Sequence, residues 1–297
     1  MPNELEKDIY RTITYFAYFG YPVTGFEIYK WQLQPQKTRS YFDITSTLAT
    51  SSWLRSQIER KNGFYALKDI KTEVRLRHDR FLNAVQKYKK LKKVLNYVAR
   101  VPSVKGVALC NSLPLHFTKS TSDIDLFVIT KDHKVWTTRM LTVLPMILLR
   151  QRPGETKRDP VDLSFLASES ALDFSQLKLG EADPYMSVWL RTLVPVYEQE
   201  TGIFEKFLLQ NSWAKLDLPN SILANRALRE RVKVKNKLPL FIGERLAKKI
   251  QLKKFPVEIT DHQNIDSTIV VSDKLLKFHK NDRRAEVAEF LNSKMNI

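Results

Sequence analysis

The stretch "SDIDLFVIT", residues 122–130, sets Asp123 and Asp125 one position apart at the head of an apolar run. In a strand, residues two apart point to the same side, so the two carboxylates face one way while Ile124 and Leu126 turn into a core. Two like charges held side by side repel and raise each other's pKa unless a cation neutralises them. A divalent metal answers that need, and carboxylate oxygens select Mg²⁺ (or Mn²⁺). A third carboxylate would complete a two-metal site, in which one ion activates an attacking hydroxyl and the other steadies the leaving group. "DPVDLSF" supplies it: Asp162 lies between Val161 and Leu163 with Ser164 on its own face, whereas Asp159 falls in the preceding loop. The competing reading makes Ser122-Asp123 a turn, Asp125 a salt-bridged edge residue and Asp162 a surface aspartate. The apolar and small residues that follow Asp125 favour a covered strand instead.

Such acids need a sheet beneath them. "VKGVALC" (104–110), "DLFVIT" (125–130) and "VDLSFLA" (161–167) read as strands, and an apolar helix over about 133–150 and the loop "RQRPGETKRDP" separate the last two. Strands with intervening helices predict an α/β or α+β layer around one main core. Helices follow near 184–194 and 201–213, then a short strand, "STIVVS", and a closing helix, "RRAEVAEFLNSKM".

The segment 104–170 resembles the active-site region of DNA polymerase beta-like nucleotidyltransferases. Their signature is a strand ending in Gly-Ser, a loop of around ten residues, Asp-x-Asp on the next strand and a later third acid. Here Ser112 follows "VKGVALCN", the acid pair is Asp123 and Asp125, and Asp162 occupies the later position. The resemblance implies that Ser112 and its backbone amides bind an NTP triphosphate, that Asp123 and Asp125 bind metal, and that Asp162 assists as base. Asn111 stands where the family has glycine, and "LPLHF" replaces the small residues that usually follow the serine. Asparagine is the non-glycine residue that best tolerates positive φ, so the turn can survive. His116 and Phe117 would then narrow the nucleotide pocket, and Lys119 offers a phosphate contact from the same loop.

Ahead of this core, "ELEKDIYRTITYFAYFG" is a helix with Ile9, Ile13, Phe16 and Phe19 at helical spacing, stopping at Gly20. Thr24 with Glu27 caps a second helix, a third covers roughly 39–53, and Asn62-Gly63 turns a hairpin in "QIERKNGFYAL". Three helices and a hairpin is the order of a winged helix-turn-helix. It would dock nucleic acid through the third helix and through Arg55, Arg60 and Lys61, or serve as a packing module. Residues 71–100 read as one helix with an apolar stripe of Val74, Phe81, Val85, Tyr88, Leu91, Leu95 and Val98. The opposite face is basic, carrying Arg75, Arg77, Arg80, Lys87, Lys89, Lys90, Lys92 and Lys93. A second basic concentration spans 226–254: Arg226, Arg229, Arg231, Lys233, Lys235, Lys237, Arg245, Lys248, Lys249, Lys253 and Lys254. "KFHKNDRR" (277–284) could touch phosphate but reads better as a loop leading into the last helix, with Asn281-Asp282 as its cap.

With 49 Lys+Arg against 32 Asp+Glu, the formal net charge is +17, which favours a polyanionic partner or nucleotide phosphates. One cysteine, Cys110, excludes an internal disulfide and a thiolate-rich zinc site, and the histidines lack metal-ligand spacing. Ser112 has no evident His–Asp partners for a hydrolase triad. The polar, acidic start is unlike a signal peptide, and "MLTVLPMILL" is too short to cross a bilayer, so a cytoplasmic protein without membrane contact is expected.

The expected fold is α+β: a winged-helix-like domain (1–70), a connecting basic helix (71–103), a mixed-sheet nucleotidyltransferase core (104–200) and a basic helical C-terminal region (201–297). The expected activity is metal-dependent transfer of an NMP from an NTP to a hydroxyl acceptor, releasing pyrophosphate. Charge favours an RNA end or other nucleic acid as acceptor, with a protein hydroxyl or small molecule as alternatives. The other function considered is an inactive nucleotidyltransferase fold that regulates by binding nucleic acid.

Overall fold

Asn3, Thr24 and Ser40 each accept a hydrogen bond from a backbone N–H three residues on, and Glu6, Glu27 and Asp43 return it. These reciprocal caps satisfy donors that a helix start leaves open. They fix α1 (Glu4–Tyr18), α2 (Gly25–Lys30) and α3 (Tyr41–Thr50). The computed structural model describes all residues except 72, 157–158, 223–231, 233, 235, 280 and 296–297. The expected third helix is divided: Ser51 leaves the helical conformation (ψ 119°) and caps α4 (Ser52–Gln57) through the Leu54 N–H. The hairpin of β2 (Ile58–Lys61) and β3 (Phe64–Leu67) turns at Asn62 and Gly63, whose φ of 52° and 81° are the paired positive values a tight two-residue turn requires. A short strand, β1 (Val23–Thr24), pairs with β3, giving the order β1-β3-β2. Ile9, Ile13, Phe16, Ile28, Leu48 and Leu54 form the core of this unit.

The long helix α5 (Val74–Val98) buries Ala84, Lys87, Leu91, Leu95 and Val98, while Phe81 and Val85 are exposed. The expected stripe was therefore rotated in its N-terminal half, and Lys87, assigned to the solvated basic face, is inside. Arg75, Lys89, Lys92 and Lys93 are exposed as expected.

After α5, the strands β4 (Val104–Leu109), β5 (Ile124–Thr130), β6 (Val161–Ser168) and β7 (Val194–Glu198) join β8 (Ile269–Val271) and β9 (Leu275–Phe278). The sheet order is β7-β4-β5-β6-β9-β8, with β5 and β6 parallel and the other pairs antiparallel. This is a mixed α+β arrangement. Two strands went unread: β7, where a helix to 194 was expected, and β9, which takes in the start of "KFHKNDRR". The expected helical C-terminal region thus also supplies β8 and β9 to the main sheet. The helices are α6 (Val135–Leu148), α7 (Pro184–Thr192), α8 (Ile203–Gln210), α9 (Trp213–Asp217), α10 (Glu244–Lys253), α11 (Val257–His262) and α12 (Arg284–Met295). Arg226, Arg229, Arg231, Lys233 and Lys235 lie outside the described residues.

Both sheet faces are covered, as alternation along β5 demands. Ile124, Leu126 and Val128 join Leu91, Leu95 and Trp136 on the α5/α6 side. Phe127 and Ile129 meet Phe165, Phe174, Trp189, Phe204 and Phe207 on the other. Gly106 on β4 sits so close to α8 that a Cβ there would stand 2.9 Å from the Phe204 ring. The first unit is docked rather than tethered: α1 packs on α12, and Phe117 and Val188 enter its core. Among the described residues no helix is long and apolar enough to cross a membrane.

Candidate active site

Asp125 on β5 is the register partner of Asp162 on β6, so parallel pairing sets the two carboxylate-bearing residues side by side. The next paired residues are Phe127 and Phe165, so β6 spends three residues where β5 spends two. That one-residue irregularity lets Asp162 and Phe165 share Asp125's side despite their odd spacing, the local re-aiming that bulges perform. Asp123 stands just ahead of β5, and all three acids are half-buried. The Ser164 hydroxyl donates to Asp162 Oδ2 at 2.8 Å, as the shared face predicted.

Beside them β4 ends and the chain turns. The Cys110 N–H donates to the Asp125 carbonyl (3.2 Å), and Asn111 follows with φ +61°. The left-handed turn expected of a glycine is thus made by asparagine, whose side chain favours the charged form of Asp125. The loop closes through Phe117 N–H to Ser112 C=O (3.1 Å) and Lys119 N–H to Ser122 Oγ (3.0 Å). His116 is not among the residues that line the cavity: at φ +53° it is partly buried and stacks on Phe81 with ring centres 5.4 Å apart. Phe117 does face inward, with Arg80 over its ring at 3.8 Å.

A cavity of about 1160 Å³ opens over this end of the sheet, and Asn111, Ser112, Lys119, Asp123, Asp125 and Asp162 all line it. Its charge is unbalanced. Burial, then Asp162 and Asp123, push Asp125 well above the usual carboxylate range, against the Asn111 hydrogen bond and the Lys87 charge. Burial likewise raises Asp123, with Lys87 opposing. Burial raises Asp162, with Asp123 adding to the rise and the Ser164 hydrogen bond and the charges of Arg152 and Arg139 opposing it. Among the described residues no lysine or arginine stands within 4.0 Å of these three carboxylates.

The same crowding was the sequence argument for a metal. The donor set is all oxygen, which fits a hard divalent ion. Among the described residues no group of three or more acid, His or Cys side chains already stands in metal-holding geometry. A Mg²⁺ here would have to be bound through one or two carboxylates, with substrate phosphate and water filling the remaining positions. The site does not fit an all-protein cage.

Lys87 and Arg139 were missed as contributors. Lys87 reaches from α5 under the acid loops and donates to the carbonyls of Ser120 (3.2 Å) and Ser122 (2.6 Å) and to Asp159 Oδ1 (2.6 Å). Asp159, set aside as a loop residue, is thus the counter-ion of a positioning lysine. The spacing 84, 87, 91, 95, 98 was the available signal, because it places Lys87 on the buried stripe. Arg139 projects from α6 into the cavity, and an arginine at the head of an otherwise apolar helix was its only mark. "KFHKNDRR" also lines the cavity: Lys277 is buried, and burial drives the His279 imidazole down to about 3. Asp282 accepts from the Arg284 N–H at 3.0 Å, at the start of α12 where a cap was expected.

Comparison of the chain with protein-family models, with curated proteins and with solved structures finds no match.

Proposed function

We propose that the chain is a metal-dependent nucleotidyltransferase, moving an NMP from an NTP to a hydroxyl acceptor with release of pyrophosphate. The observation that carries this reading is the pairing of Asp125 with Asp162 across parallel strands, with Asp123 just ahead of them and, among the described residues, no salt bridge to any of the three. A fold does not keep uncompensated buried carboxylates for stability, because each costs free energy until a cation arrives. Asp123 and Asp125 would hold the divalent ion, which would supply Lewis-acid stabilisation of phosphate charge. The chain's own residues do the remaining work. Asn111 orients Asp125, Ser112 and its turn face the phosphates, and Asp162, steadied by Ser164, takes the proton from the acceptor hydroxyl. Its raised pKa brings a carboxylate closer to the range where it can accept that proton at neutral pH.

Incubation with labelled NTPs, Mg²⁺ or Mn²⁺ and a panel of RNA, protein and small-molecule acceptors tests this. Transfer by the wild type and its loss in the Asp123→Ala/Asp125→Ala variant is the expected result; equal background in both sinks the reading.

The second reading, a nucleic-acid-binding regulator with a winged helix, draws on the exposed hairpin residues Arg60 and Lys61. Arg55 is not available to it in the same way, since its guanidinium donates to the carbonyls of Ala49 and Thr50. Helix α3 carries no lysine or arginine. Tyr15, Phe16 and Tyr21 of the first unit line the cavity, so deleting residues 1–70 would unroof the site and test nothing cleanly. The Arg60→Glu/Lys61→Glu variant is the right probe. Loss of salt-sensitive duplex binding in that variant, with no transfer by the wild type, would favour the regulator.

A further inference from the structure

The cavity wall beyond β6 is cationic, and its cations differ in how they are used. Lys277 Nζ is taken up by the Ser267 carbonyl (2.5 Å) and Asp282 (3.4 Å). Arg284 is spent on Asp282, Asp183, Ser267 and the Leu177 carbonyl. Arg139 is not. Its guanidinium is held from behind by Gln251 Oε1 at 2.7 Å, and Gln251 is itself fixed by the Trp136 and Ala247 carbonyls. The Phe278 and Phe255 rings flank it at 4.6 and 5.5 Å. Its Nε is buried with no hydrogen-bond partner. A guanidinium has five donors in a rigid fork, and here only one is used by the fold.

Arg152 arrives at the same wall. The Gln151 carbonyl accepts from the Val161 N–H at 2.7 Å, which ties the loop after α6 to the strand end next to Asp162. Arg152 lines the cavity, and among the described residues its guanidinium makes one long ion-pair contact, with Glu155 at 3.9 Å. Burial, then the charge of Arg152, bring Arg139 down to about 10, with the Asp162 charge opposing, so the two arginines lie close enough to feel each other beside the acid cluster. Across the sheet the order is Asn111-Ser112 after β4, then the acids on β5 and β6, then β9. The two arginines therefore stand on the opposite side of the acids from the Ser112 turn.

We propose that Arg139 and Arg152 form a second anion subsite that holds a phosphate monoester on the acceptor. Its assignment to the acceptor rests on the nucleotidyltransferase reading; the binding itself does not. Planar forks with free N–H groups match phosphate oxygens, and a site on the far side of the acids leaves the Ser112 side for the donor triphosphate.

Calorimetric titration of the full chain with inorganic phosphate in EDTA tests it without turnover. Saturable binding is expected, at least about tenfold weaker in Arg139→Gln and in Arg152→Gln, given the strength of charge-assisted bonds. Asp162→Asn should bind phosphate more tightly, because a nearby negative charge is gone. Arg152→Gln keeps the test alive if Arg139→Gln fails to fold, which melting curves report. Binding that is absent, or unchanged in every folded arginine variant, overturns the proposal. So does displacement of phosphate by a saturating non-hydrolysable NTP, which would assign the arginines to the donor. Ribose 5-phosphate and a 5′-phosphorylated RNA oligonucleotide distinguish the carrier: arginine-dependent binding of either supports the subsite, and of neither refutes it. Phosphate binding without nucleotidyl transfer would sink the functional reading and leave the anion site standing; transfer without it would sink the subsite alone.

Discussion

Lys87→Met would separate the positioning of the acids from their chemistry. The lysine side chain is 1% exposed, and Asp159, its ion-pair partner at 2.6 Å, is 15% exposed. Methionine keeps most of the packing volume but removes the ammonium from two carbonyls and a carboxylate. Losing one partner of a buried pair costs about 3–5 kcal/mol. The hydrogen bonds to Ser120 and Ser122 belong to the same event and are not added again. For a chain of this size each kcal/mol moves the melting temperature by about 2 °C, so a fall of about 6–10 °C is expected. A double-mutant cycle with Asp159→Asn checks the cause. Asparagine is chosen because Asp159 has φ +49°, a conformation that asparagine tolerates and leucine would not. The double variant should recover at least about half of the loss, because both charges are gone. Denaturant unfolding gives the four stabilities. A loss under about 1 kcal/mol in Lys87→Met, or additive effects in the cycle, would refute the claim that this pair holds the two acid loops together.

Three further outcomes follow from the same geometry. The pKa of Asp125 is raised in the fold, so the folded state holds protons that the unfolded chain has released, and stability falls as pH rises above the ordinary aspartate value near 3.9. Asp125→Asn should therefore raise the melting temperature at pH 7, the gain fading toward pH 4; a loss at pH 7 would contradict the uncompensated charge. Asn111→Gly should leave stability within about 1 kcal/mol because glycine accepts φ +61°, whereas Asn111→Ala should cost about 1–2 kcal/mol, both read by denaturant melts. Gly106→Ala should lose about 1–3 kcal/mol, because its Cβ would meet Phe204 at 2.9 Å and Ile203 at 3.1 Å; an unchanged melt would show that α8 yields.

What was legible in the sequence follows the range over which each signal acts. Caps, the Asn62-Gly63 turn, and the strands bearing Asp125 and Asp162 are encoded within a few residues, and the starts of α1 and α2 and the hairpin turn needed nothing more. Asn111 belongs with them, since its tolerance of positive φ is a property of the residue alone. Long-range pairing is different. Nothing local in "VPVYE" marks it as a strand of this sheet; "LLKF" pairs with nearby β8, but its place beside β6 is set by Lys277 lying opposite Phe165, more than a hundred residues away. Lys87 was misplaced because residue type was weighed above phase. A lysine among lysines was placed on the basic face, which could be solvated or border the acid segment, although its position on the 84–98 stripe gave the better physical argument for burial.

That error bears on how such sites are built. The three acids gain nothing for folding by standing together, and the price in repulsion is met by structure around them rather than by a direct ion pair. The Asn111 side chain favours the charged form of Asp125, Ser164 donates to Asp162, and Lys87 acts on Asp123 and Asp125 through its charge while its hydrogen bonds go to the loops. A direct salt bridge would have silenced the carboxylates. A lysine one layer below steadies them and leaves their oxygens facing the cavity. The same division holds across the pocket, where Gln251 and two aromatic rings fix Arg139 without neutralising it. Supporting groups that orient a charge while leaving it unpaired are the arrangement a binding site requires and a merely stable core would avoid.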